Sequence, residues 1–137
     1  MTKATACLIA LAVAGLAAPA SAAETKLTAH LGGAGSADTD GAGHANFRVD
    51  AEKNQICYDL MVEKIADATM AHIHKGAAGA SGPVAVPLTK PDAGKSSGCA
   101  TVGASVVADI LANPGGYYVN VHNAEHPGGA VRGQLSK

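Results

Sequence analysis

The chain has 137 residues, 47% of them hydrophobic but only 3% aromatic, and a formal net charge of −1. That length suits one domain with a modest core. Near-neutral charge without a lysine or arginine run argues against nucleic acid or a membrane surface as the main partner.

Residues 1–22 read as a secretory leader. Lys3 supplies the positive start, Ala4 to Ala18 is apolar and uncharged, Pro19 ends the run, and Ala20-Ser21-Ala22 is a small-residue cleavage site. The apolar run falls short of the roughly 20 residues that a membrane-spanning helix needs. The expected product is a periplasmic or secreted domain over 25–137, with no membrane attachment after cleavage. Cys7 leaves with the leader, so Cys57 and Cys99 remain as an even pair. In an exported chain they are expected to form a disulfide, against the rival of two free thiols with one a metal ligand.

Beyond the leader, short alternating runs are separated by glycine-rich turns. Strands are expected over 26–31, 44–50 and 55–62, the last two as a hairpin around Glu52-Lys53-Asn54. Further strands are expected over 70–74 and 83–88, the second placed at a sheet edge by its prolines, and over 98–102. Helical spacing over 105–113 turns Val106, Ile110 and Leu111 to one side, with Ser105 as its cap and Asn113-Pro114-Gly115-Gly116 as its stop. Strands over 117–123 and 130–135 complete the chain as a second hairpin. Many short strands with one short helix predict an all-β sandwich or barrel.

Period-2 alternation then sorts the side chains. Ala71 and Ile73, Val119 and Val121, and Val131 and Leu135 belong to the core. Met70, His72, His74, Tyr118, Asn120, His122, Arg132 and Gln134 point the other way, to an outer face taken here as the sheet exterior. If these strands are neighbours, His72, His74 and His122 can meet, and three neutral imidazoles suit copper or zinc. His126, in the following turn, is a candidate fourth ligand, and His44 a more remote one. Arg132 is read first as a carbonyl or cross-strand partner and second as a guide for small anions beside an open metal position. Asn120 is expected to order the adjacent loop. The competing reading makes all these histidines ordinary hydrogen-bonding surface groups.

Three segments carry a resemblance: Ala71-His72-Ile73-His74-Lys75-Gly76 with Gly82-Pro83-Val84; Ala112-Asn113-Pro114-Gly115-Gly116-Tyr117-Tyr118-Val119-Asn120-Val121-His122; and Pro127-Gly128-Gly129-Ala130-Val131-Arg132-Gly133-Gln134-Leu135. Together they resemble the CHRD (chordin-type) domain over roughly 25–137. The resemblance implies an immunoglobulin-like, Greek-key β-sandwich distantly similar to copper–zinc superoxide dismutases. It implies no agreed biochemical role for exported single-domain members. His72 and His74 are similar to the dismutases' His-x-His copper pair, His122 to a later copper histidine and Arg132 to the anion-guiding arginine. No histidine lies between His74 and Cys99, so the bridging and zinc-loop ligands are missing. Three functions therefore stand as expectations: a copper- or zinc-binding exported domain, a protein- or polymer-binding module, and a copper-only dismutase.

Overall fold

A computed structural model describes residues 15–18, 23–33 and 35–137, so most of the expected leader over 1–22, with Cys7, lies outside the described residues. The strands are β1 (Thr25–Leu31), β2 (Ala42–Asp50), β3 (Gln55–Glu63), β4 (Ala68–Lys75), β5 (Val84–Leu88), β6 (Lys95–Thr101), β7 (Tyr117–Asn123) and β8 (Val131–Ser136). One helix, α1 (Ala104–Ala112), precedes a 3-10 turn at Pro114–Gly116. Among the described residues the expected all-β fold with one short helix is the observed one. No described helix is long and apolar enough to cross a membrane.

All strand pairings are antiparallel, in the order β5-β4-β7-β8-β1-β2-β3-β6. The sheet has two four-stranded halves joined by a thin seam, in which β1 meets β8 only at Thr28–Ser136 and Ala29–Leu135. The halves enclose one core, built from Leu27, Phe47, Ile56, Leu60, Ile73, Val119, Val121 and Leu135, with Val107 and Ile110 of α1 packed against it. Alternation explains this layering, since each strand gives every second side chain to the core. At the far side from the seam, the Tyr58 hydroxyl accepts from the Thr89 amide (2.8 Å) and donates to the Thr89 hydroxyl (3.1 Å), tying β3 to the segment after β5.

Cys57 and Cys99 are register partners on β3 and β6, and they form a disulfide across 42 residues of chain. It staples the edge strand β6, whose side chains are all at least partly exposed. Strand β6 also begins three residues earlier than expected. Lys95, Ser96 and Ser97 look like loop residues in composition, but they pair with Met61, Leu60 and Asp59. A polar edge strand discourages pairing with foreign chains.

Two expectations for the helix need correction. Ser105 is not its cap: Gly103 takes that place without a side-chain bond, its carbonyl accepting from Val106 and Val107. The fully buried pair is Val107 and Ile110, while Val106 and Leu111 are only partly covered.

Replacing Cys57 and Cys99 by serine should lower unfolding free energy by about 2–4 kcal/mol, mostly through the freed unfolded chain. Urea unfolding of the double variant checks this. An unchanged midpoint would show that β6 needs no staple.

Candidate metal centre

Strand β7 lies between β4 and β8, and every one of its seven residues is buried. This corrects the expectation of an open exterior face. The outer side chains point away from the core as alternation requires, but the 76–83 and 126–129 segments lie over them. As a result His74 is only 8% exposed and His122 only 7%. His72, on β4 between β5 and β7, is half-buried.

Polar side chains of β7 and β8 hold this cover in place. Arg132 donates from Nη1 to the Ala78 and Ala80 carbonyls (2.8 and 3.0 Å) and from Nη2 to the Gly128 carbonyl (2.5 Å). Gln134 donates to the carbonyls of Gly76, Gly115 and Tyr117, and accepts from the Ala78 amide. Asn120 donates to the Gly128 carbonyl at 3.1 Å. The Tyr118 hydroxyl donates to the Ala80 carbonyl and accepts from the Gly82 amide, while its ring stacks on His74 at 5.1 Å. The loop-ordering part expected of Asn120 is thus seen, and Arg132 takes the carbonyl-partner part of its two readings.

Two glycines permit the close approach. A Cβ on Gly82 would sit 1.8 Å from the Lys75 carbonyl oxygen, and one on Gly129, at φ +125°, would sit 2.0 Å from Asn120 Oδ1. Any side chain at either place would lift the cover off β7.

Beneath the cover, one ring nitrogen from each of His72, His74 and His122 lies within 4.8 Å of the others. The two cross-strand members are closest, with His72 Nδ1 3.2 Å from His122 Nε2. Backbone carbonyls orient two of the rings: His74 Nδ1 donates to Gly82 O and His122 Nδ1 to Pro127 O, each at 2.9 Å. In the neutral rings the hydrogen therefore sits on Nδ1 and the Nε2 lone pair is bare. His74 Nε2 is buried without any hydrogen-bond partner. His72 Nδ1 can donate to His122 Nε2, or carry a lone pair there if its hydrogen moves to the other nitrogen.

The charged forms of His72 and His122 are disfavoured. His72 is held below the usual histidine range by burial first, and then by repulsion from His122 and His74. Burial also leads the downward shift of His122, with His74 and Arg132 adding to it and the Pro127 carbonyl opposing it. Neutral imidazoles with convergent lone pairs are what a transition-metal ion requires. A tetrahedral ion with bonds of about 2.0–2.1 Å sets its nitrogens about 3.3 Å apart. The 3.2 Å pair meets that spacing, and a ring nitrogen of His74 lies within 4.8 Å of one from each of the other two rings.

Other candidates lie elsewhere. His126 sits in the covering turn, its amide bound to Asn123 Oδ1 at 2.7 Å, and falls outside the three-nitrogen group. His44 is exposed on β2, in the other half of the sheet, opposite His30 and Met61. Sequence reasoning passed over Gln134 and Tyr118 as builders of the site. Their outward alternation was the available signal.

The match to known families can now be stated. Residues 27–135 match the family model described as the CHRD domain. The chain belongs to the CHRD family. No curated protein and no solved structure matches it. In this CHRD domain the His-x-His strand, strand β7, the Gly-Pro loop and the Pro-Gly-Gly turn form one structural unit: the Gly82 carbonyl orients His74 on β4, and the Pro127 carbonyl orients His122 on β7.

The lowered affinity of His72 and His122 for protons links to stability. In the unfolded chain they take a proton near pH 6.5. In the folded chain they do so at lower pH. Their contribution is therefore complete above about pH 6.5 and lost as pH falls toward their folded values. Histidine-resolved NMR titration should give both rings midpoints below 6.5, and unfolding free energy should decline from pH 7.5 to pH 5. Midpoints at or above the free value would contradict the burial argument.

Proposed function

We propose that this CHRD domain holds a transition-metal ion, copper first and zinc second, with His72, His74 and His122 as its ligands. The observation that carries the reading is the convergence of three imidazoles, two of them under the covering loops and fixed by backbone carbonyls with Nε2 turned inward. Metal-bound histidines are commonly oriented by such a hydrogen bond from the opposite ring nitrogen. Nitrogen ligands and the Irving–Williams order favour copper where it is available. Within the same reading, the working unit is residues 25–137, freed of a leader over 1–22, in the periplasm or outside the cell. The Cys57–Cys99 disulfide supports an oxidising compartment.

The role is retention or carriage of the ion rather than turnover. An anion-guiding arginine needs a guanidinium turned to an open coordination position. Arg132 instead gives three hydrogen bonds to loop carbonyls. The cover over His74 and His122 also suits holding an ion better than rapid exchange of small substrates.

Protein residues 25–137 incubated with Cu(II) or Zn(II), then desalted, should keep a stoichiometric amount of metal by elemental analysis. His72→Ala should lose most of it while keeping the wild-type circular dichroism spectrum, since that ring is half-buried and bound to no carbonyl. Absence of metal in the wild type, or equal retention by the variant, would leave the histidines as anchors for the covering loops.

A further inference from the structure

Strand β4 carries one more soft donor on the face of the two histidines. Met70 precedes His72 by two residues, so alternation sends its side chain to the same side. Its register partner across β7 is His122 itself. Side chains of such a pair start about 4.5–5.5 Å apart at Cβ, which an unbranched thioether with three rotatable bonds spans easily. The pairing of β4 with β7 shifts between Ala68 and Met70, a local irregularity beside this residue. Bulges of that kind re-aim side chains and gather next to functional sites.

Burial sets Met70 apart from the core. It is 49% exposed, although the alternation of β4 gives the core Ala71 and Ile73. Core packing therefore does not account for a large apolar side chain there, and its thioether is free to reach the three-histidine group from the exposed side. The cover closes over His74 and His122, while the His72 and Met70 end of β4 remains accessible.

We propose that Met70 supplies a thioether ligand to the three-histidine site and makes it prefer copper(I) over zinc(II) and copper(II). This rests on the reading of His72, His74 and His122 as metal ligands. Thioether sulfur is soft and selects copper(I), whereas imidazole alone serves zinc(II) and copper(II) well. A set of three imidazoles and one thioether therefore places selectivity in one residue, and Met70-Ala71-His72-Ile73-His74 becomes a single strand-borne ligand motif.

The test compares wild type, Met70→Leu and Met61→Leu, the last an exposed methionine on β3 in the other half of the sheet. Copper(I) affinity is measured anaerobically against a chromogenic chelator, and zinc(II) affinity in parallel. Met70→Leu should weaken copper(I) binding about tenfold or more and leave zinc(II) binding within about twofold, while Met61→Leu changes neither. The extended fine structure above the copper absorption edge of the loaded wild type should contain a sulfur scatterer that Met70→Leu lacks. Unchanged copper(I) affinity in Met70→Leu, or an equal fall in both variants, overturns the assignment of Met70 while leaving the histidine site standing. Failure of the wild type to bind any of the metals overturns both.

Discussion

Strand β7 has no free face. Val119 and Val121 lie in the core, while Tyr118, Asn120 and His122 lie under two loops. A covered polar face must satisfy its hydrogen-bonding groups, because each buried group left alone is destabilising by about 1–3 kcal/mol. The outer face of β7 and β8 meets much of this demand with Arg132, Gln134, Asn120 and Tyr118, which between them bind carbonyls of both covering segments, while Asn120 Oδ1, Asn123 Nδ2 and Arg132 Nε stay buried without a partner. The loops are thus fastened to the sheet by side chains that alternation would otherwise leave in water.

The histidine group is a consequence of that arrangement. Gly82 and Pro127 belong to the cover, and their carbonyls set the orientation of His74 and His122. The same contacts turn Nε2 inward, and His74 Nε2 stays buried without a partner. A ring nitrogen of His74 lies within 4.8 Å of one from each of His72 and His122, a grouping that could hold a metal ion.

Much of this was legible in the sequence. Alternation separated core from outer face correctly for β4, β7 and β8, and it placed His72, His74, His122 and Arg132 on one side. The even cysteine count pointed to the Cys57–Cys99 bridge. The burial of that outer face was not legible, because it depends on where the glycine-rich loop after His74 and the turn after His126 come to rest. Composition marks those segments as turns without saying that they fold back over the sheet. The start of β6 was hidden for a related reason, since Lys95-Ser96-Ser97 is polar like a loop and becomes a strand only through its pairing with β3. His126 lay close enough in sequence to be a candidate ligand, but its backbone is engaged in the covering turn.

Crystals of residues 25–137 grown with copper, with anomalous data collected on both sides of the copper edge, test the central claim most directly. The account predicts one dominant anomalous peak within bonding distance of His72, His74 and His122, with the Gly82 and Pro127 carbonyls still bound to Nδ1 of their rings. A peak at the exposed His30 and His44 pair instead, or no ordered peak between β4 and β7, would contradict it.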